Sequence, residues 1–216
     1  MPYQATEGTR AARAQRSRQL LDAARSIVAR EGFRAATVKA VALVAGVSAG
    51  SVYTYFDTRE TLLVAVFREY ATVELETVRA AISRVSPASA TAELTALVEV
   101  FARRAIRGHF LAWALLVEPV DAAIDAERLE YRRAYSDAVA RIVRTGVRSG
   151  EFPEQDERIV GAGIVGAIGE ALTGPLSPLD DVGATGPSAA DAVVNGILAL
   201  CLRAVGAPPA TGDRHP

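Results

Sequence analysis

Apolar residues return every three or four positions along almost the whole chain, and each series closes at a glycine or a proline. No stretch shows the period-two alternation of a half-buried strand. That pattern confines the chain to packed helices. Leu20, Leu21, Ala24, Ile27 and Val28 form a series that stops at Gly32. Val38, Val41, Ala42 and Ala45 follow Thr37, a good N-cap, and stop at Gly46. Ser48 caps a third, short helix. Asp57 and Glu60 are spaced as a capping box for a fourth, whose stripe is Leu62, Leu63, Val66, Phe67, Tyr70 and Val73. The result is a compact three-helix head over residues 1–60, joined by the fourth helix to a body over residues 61–206.

The body continues with Leu94, Leu97, Val98, Phe101 and Ala105 at helix spacing. The nearly unbroken apolar run 110–117 predicts a helix in the middle of a bundle, ended by Pro119. Leu129, Ala138, Ile142 and Val143 form the stripe of the next helix, closed by Gly150. Further helices are expected over 154–172 and 189–205, separated by a Gly/Pro-rich loop at 174–188, with a disordered tail over 207–216. The fold class is all-α.

Composition narrows the function classes. No segment approaches the roughly 20 uncharged residues of a membrane helix, so no membrane partner is expected. The start carries basic residues without an apolar core after them, unlike a secretory signal. A single cysteine, Cys201, excludes an internal disulfide framework and a thiol metal cluster. A soluble cytoplasmic protein without metal or cofactor is the expectation. The net charge of −1 hides an asymmetry. Residues 1–60 hold nine basic groups against five acids, and residues 61–216 hold fifteen against twenty. A basic head on an acidic body suits a polyanion-binding module attached to something else.

The stretch GVSAGSVYTYF, residues 46–56, sharpens this reading. At about 100° per residue, Val52 and Phe56 point within about 40° of one another, toward the preceding helix. The opposite direction holds Gly50, Ser51 and Thr54, and Tyr53 and Tyr55 lie about 80° to either side. A helix with a small, polar outer face fits the B-DNA major groove, about 12 Å wide, while flanking phenols meet the phosphate walls. With the helix TVKAVALVAG before it and a tight turn between, the unit reads as a helix-turn-helix. Thr37 and Lys39 supply phosphate contacts on the near side, and Arg59 adds a cation in the first turn of the fourth helix. The alternative is an ordinary helical hairpin whose tyrosines only pack.

Residues 36–67, ATVKAVALVAGVSAGSVYTYFDTRETLLVAVF, resemble the DNA-binding signature of the TetR family of bacterial transcriptional regulators. The resemblance rests on the Thr-Val opening, the Ala-Gly-Val-Ser turn, Gly50, the Tyr-x-Tyr-Phe block and a basic residue two places after Asp57; it extends back to about residue 14. It implies a homodimer with a three-helix N-terminal head and a C-terminal helical domain that binds an effector and dimerises. It further implies that Thr37, Lys39, Ser48, Ala49, Gly50, Ser51, Tyr53, Thr54, Tyr55 and Arg59 lie at the DNA surface. Tyr53, Tyr55 and Arg59 then serve phosphates, and Ser51 and Thr54 read bases. The chain departs from the pattern at Ala40, Leu43, Val44 and Ala49. Leu43 or Val44 is therefore expected to be partly exposed, and readout at Ala49 is limited to methyl contact with thymine. Arg10, Arg13 and Arg16 form either a DNA-contacting arm or a disordered basic tail.

A second motif, GAGIVG at 161–166, fits the dinucleotide pattern G-x-G-x-x-G, which needs a strand before it and a helix opening on its glycines. Here helical spacing runs straight through the glycines, so close helix packing is expected instead. With the last helix, this suggests a four-helix dimer interface of Gly161, Val165, Ile168, Gly169, Val193, Val194, Ile197, Leu198 and Cys201. The body's aromatic and large apolar residues suggest an effector pocket of Phe101, His109, Phe110, Trp113, Leu116, Glu118, Tyr131 and Tyr135, suited to a hydrophobic or amphipathic small molecule; the alternative is that these side chains are only core. No catalytic constellation is present. The leading expectation is a DNA-binding dimer, a repressor released by its effector. A regulator with a protein partner or no effector, and a nucleotide-dependent enzyme, are the alternatives.

Overall fold

The computed structural model describes residues 7–85, 89–177 and 187–207. Every regular element among the described residues is a helix. In chain order these are α1 (Glu7–Glu31), α2 (Val38–Ala45), α3 (Ala49–Tyr53), α4 (Arg59–Val85), α5 (Ala90–Arg107), α6 (His109–Leu116), α7 (Ala122–Ser149), α8 (Glu157–Leu176) and α9 (Pro187–Ala204). Residues 178–186 and 208–216, where most of the expected loop and tail fall, lie outside the described residues.

Two apolar cores organise the chain. The first gathers Leu20, Ala24, Val28 and Phe33 from α1 and the turn after it, Val41 and Val52 from α2 and α3, and Leu62, Leu63, Val66 and Phe67 from α4. The second, in the body, is built from α4, α5, α7, α8 and α9 around Leu94, Leu97, Ile142, Val143, Ile164 and Leu172. Full burial of each such side chain stabilises by about 1.5–3 kcal/mol. The head core also takes in Ala114 and Leu115 of α6 and Ile124 of α7.

This sharing corrects the reading of the apolar run at 110–117. Helix α6 is one short wedge between the two cores, and not a bundle centre. Ala114 and Leu115 face the head core, while Ala112, Trp113 and Leu116 pack against the body core. Phe110 is left exposed. Leu129, placed in the buried stripe of α7, is also exposed, at 49%.

The cap of α4 is shifted by one residue from the expected Asp57–Glu60 pair. Thr61 N–H donates to Thr58 Oγ1 at 3.1 Å, and Thr58 N–H donates back to Thr61 Oγ1 at 3.2 Å. Helix α8 is long and apolar enough, by length and hydropathy, to cross a membrane, although Glu157, Arg158 and Glu170 keep it from being a run of about 20 uncharged residues. Bundle packing accounts for part of that apolar content: Gly161, Ile164, Ile168, Leu172 and Leu176 are buried. A Cβ on Gly161 would stand 2.7 Å from the Ser136 carbonyl oxygen and 3.1 Å from the Ala140 nitrogen, so glycine lets α7 and α8 touch at backbone distance. GAGIVG therefore lies wholly within a helix, as the spacing predicted.

Candidate nucleic-acid interface and effector cavity

Helices α2 and α3 are set by their caps. Thr37 Oγ1 accepts from Ala40 N–H at 3.2 Å and opens α2. Gly46 closes it in the left-handed region, φ 65°, while Val47 N–H reaches back to Ala42 O at 3.0 Å. That left-handed turn is disfavoured for most other residues. Ser48 Oγ then accepts from Ser51 N–H at 3.2 Å and starts α3. The regular helix ends at Tyr53, shorter than expected, although Phe56 N–H still bonds Val52 O at 3.0 Å.

Val52 is buried as the anchor of α3, and Tyr55 and Phe56 pack half-buried on the head core. Thr37, Lys39, Ser48, Ala49, Gly50, Tyr53 and Thr54 are all exposed, so the outer face of α3 is open. A Cβ on Gly50 would meet only Ser48 Oγ, at 3.9 Å. Ser51 is half-buried and shares a 2.8 Å hydrogen bond with the Ser48 hydroxyl, so it is partly committed. Arg59 departs further from its expected role as a phosphate contact. Its guanidinium donates to Ala36 O at 3.1 Å and Phe33 O at 2.7 Å, tying α4 to the α1–α2 turn. Leu43 and Val44 are exposed at 82% and 50%. Arg10, Arg13 and Arg16 are exposed on α1 itself, which begins well before the first core residue, and Arg13 Nη2 lies 3.5 Å from Thr54 O.

Within the body is a cavity of about 620 Å³. Phe101, Leu116, Tyr131 and Tyr135 line it as expected. Of the other expected pocket residues, His109 stacks on Phe110 at 4.3 Å, Trp113 packs on the body core, and Glu118 turns toward the head. These four do not line the cavity. The sequence reading missed Glu74, Arg104, Arg107, Leu111, Val117, Arg128 and Arg132, which come from four different helices and a turn. Arg104 is held bidentately by Glu74 at 2.6 and 2.7 Å.

The expected interface residues also move. Gly161, Ile168, Val194, Ile197 and Cys201 are buried inside the protomer, and burial pushes the Cys201 thiol up to about 11. Val193 and Leu198 pack on that core, while Val165, Ile168 and Gly169 line the cavity. Most bulkier apolar groups of α8 and α9 turn to their own core, with Ile159 an exception at 70% exposure, and small residues are left outward. Ala162, Gly163, Gly174, Ala192 and Gly196 are exposed, and Leu200 stands among them at 42%.

A polar chain joins cavity to head. Arg128, in the cavity wall, donates to Leu115 O, Ala114 O and Glu118 O at 2.9, 2.9 and 2.6 Å, gripping the end of α6. The buried Glu118 carboxylate accepts from Phe33 N–H at 2.8 Å and Arg34 N–H at 2.9 Å. Those amides belong to the turn whose carbonyls Arg59 holds.

A slim, open second helix on a two-helix unit, carried by a helical body with a cavity, is the architecture of a helix-turn-helix transcriptional regulator. The model for bacterial regulatory proteins of the tetR family matches residues 20–66. The chain is 30% identical over 159 residues to the HTH-type transcriptional regulator BetI of Cronobacter sakazakii, spanning 71% of this chain and 75% of that protein. It is 27% identical over 158 residues to the fatty acid metabolism regulator protein of Bacillus subtilis, spanning 72% and 80%. The crystal structure of the regulator FadR from Bacillus subtilis in complex with stearoyl-CoA superposes with a TM-score of 0.70, 25% identity and coverage of 87% and 98%. The chain belongs to the TetR family of bacterial transcriptional regulators, and it is a DNA-binding regulator.

Proposed function

We propose that the protein is a homodimeric repressor that binds a palindromic operator and leaves it when an amphipathic small molecule enters the body cavity. The observation that carries this reading is the shared position of α6, whose residues line the cavity and whose end is tied through Glu118 to the turn before α2. An effector acts by binding more tightly to the body geometry in which the two α3 helices no longer stand about 34–36 Å apart. The similarity to a regulator crystallised with stearoyl-CoA supports a long apolar tail in that ligand.

For DNA, the proposed surface is Thr37, Lys39, Ser48, Ala49, Gly50, Tyr53 and Thr54, with Tyr55 at its edge. Ser51 and Arg59 act mainly through the head's own structure. For the dimer, the proposed surface is the outward face of α8 and α9. No Cβ added at Gly163, Gly166, Gly174 or Gly196 would meet anything within 4 Å in the protomer, so a second copy can approach closely.

The test is fluorescence anisotropy on DNA flanking the protein's own gene, across salt concentrations and with long-chain acyl ligands added. A palindromic site, a steep salt slope and ligand-driven release are expected. Ligand binding without any change in operator affinity would overturn the effector mechanism.

A further inference from the structure

The polar groups of the cavity fall into two sets. Arg104 is paired with Glu74 through Nε and Nη2, and all three nitrogens of Arg128 are engaged, by the Ala114, Leu115 and Glu118 carbonyls and by Asp125. Arg107 and Arg132 are exposed, and neither has a hydrogen bond or ion pair among the described residues. A Cβ on Gly169 would lie 3.9 Å from Arg132 Nη2, so this guanidinium reaches from α7 across to the backbone of α8. Exposed lining residues mark the mouth, where the two arginines stand against one unpaired carboxylate, Glu170.

Further in, the Tyr135 hydroxyl is buried without a hydrogen-bond partner, its ring edge-on to Phe101 at 5.2 Å. Burial pushes this phenol well above its usual range, so it stays a donor. Depth follows from helix direction. Glu151, just past α7, accepts from Ala90 and Thr91 N–H at 2.9 and 2.6 Å, so α5 and α7 run antiparallel. Arg132 precedes Tyr135 by three residues on α7, and Arg107 follows Phe101, the ring partner of Tyr135, on the antiparallel α5, so both arginines stand on the same side of Tyr135, about 4.5 Å away along α7.

The geometry points to a two-point polar site. Arg107 and Arg132 hold an anionic head group at the mouth, and the Tyr135 hydroxyl donates to an acceptor about one turn further in. The ligand class is thus an anionic amphiphile, a carboxylate or a phosphate-bearing ester, and not a neutral lipid. This rests on the cavity being the effector site proposed above. An unsatisfied buried hydroxyl destabilises the protein, so a ligand acceptor there repairs a cost that an alkyl chain leaves standing.

The experiment titrates the full chain calorimetrically with dodecanoate, dodecanoyl-CoA and dodecanol, which share one tail. At least one anionic ligand is expected to bind about tenfold or more tighter than dodecanol. In the R107Q/R132Q variant that gap should shrink to about threefold or less. In Tyr135→Phe, affinity for the favoured anionic ligand should fall about two- to tenfold while the unliganded protein melts no lower than before. A carboxylate or a CoA preference each supports the proposal and names the head group. Dodecanol binding as tightly as both anionic ligands, or a preference that survives the double substitution, overturns it while leaving the cavity as an effector site. If none of the three binds, the effector reading falls and this proposal with it.

Discussion

The Glu118 clamp lends itself to a double-mutant cycle. Its carboxylate accepts two backbone N–H groups, at 2.8 and 2.9 Å, one of them fully buried. Charge-assisted bonds of this kind contribute about 1.5–3 kcal/mol each, and the Phe33 amide left without its partner carries part of a desolvation penalty of similar size. Glu118→Ala should therefore cost about 2–4 kcal/mol, since the Arg34 amide is only partly buried and regains water. Gly32 stands against the same carboxylate: its φ is 82°, and a Cβ there would lie 2.6 Å from Glu118 Oε2. Gly32→Ala should pay about 1–2 kcal/mol for the left-handed backbone and also displace the carboxylate. In the Glu118→Ala background only the backbone strain remains. The double variant should thus be less destabilised than the sum of the singles, by about 2 kcal/mol. Denaturant unfolding gives the energies, and hydrogen exchange at the Phe33 and Arg34 amides shows directly whether their protection is lost. Additivity within about 0.5 kcal/mol, or unchanged exchange at both amides, would refute the clamp.

Four other outcomes are expected. Tyr53→Phe should weaken operator and unrelated DNA alike, by up to about tenfold, as read by anisotropy; altered base preference would assign Tyr53 to readout instead. Gly50→Leu should abolish operator binding with the melting temperature unchanged, because only Ser48 Oγ lies near the added Cβ. Gly166→Leu on the proposed dimer face should shift the protein toward monomer in sedimentation, whereas Gly161→Ala should destabilise the protomer itself through its clash with α7. Burial alone would raise the Glu151 carboxyl, but hydrogen bonds from Thr91, Ala90 and Ser89 outweigh it and hold the group below its usual value. Its stabilising contribution is present above the unfolded carboxylate pKa and is lost as pH falls through the folded one; Glu151→Gln should remove that part of the acid sensitivity in melting curves.

The head was legible because its signals are local. Thr37, Gly46, Ser48 and Val52 each fix a cap, a turn or an anchor within a few residues, and all four do so in the structure. The α4 cap shows how narrow such signals are. Asp57 to Glu60 and Thr58 to Thr61 have the same spacing in adjacent frames, and the reciprocal pair forms on the threonines. The cavity was only half legible. Four aromatic and aliphatic guesses line it, but its charged groups Glu74, Arg104, Arg107 and Arg132 come from helices that no short-range spacing connects. Five of the nine expected interface residues, Gly161, Ile168, Val194, Ile197 and Cys201, are buried inside the protomer for a different reason. In a helix with two covered faces, periodicity picks the bulkier stripe, and here that stripe belongs to the protomer's own core and cavity.

The misreading of α6 carries the most physical content. A run apolar on every side does signal a helix with little solvent face, yet a bundle centre is only one way to cover it, and Phe110 stays exposed. Here the head core takes Ala114 and Leu115, the body core takes Trp113, and Leu111, Ala112, Leu115 and Leu116 line the cavity. A ligand that pushes on Leu111 or Ala112 presses α6 toward the side where Ala114 and Leu115 are buried in the head core, and close packing there leaves little slack. The displacement must pass into a packed core, and the one with polar ties to the DNA-binding turn is the head. Weakening the tie to the head with Glu118→Gln, which does not touch the cavity lining, should then loosen that transmission. Ligand affinity should be nearly preserved, while the ratio of operator affinities without and with ligand falls toward one. An unchanged ratio in a folded variant would mean that the signal leaves the cavity by another helix.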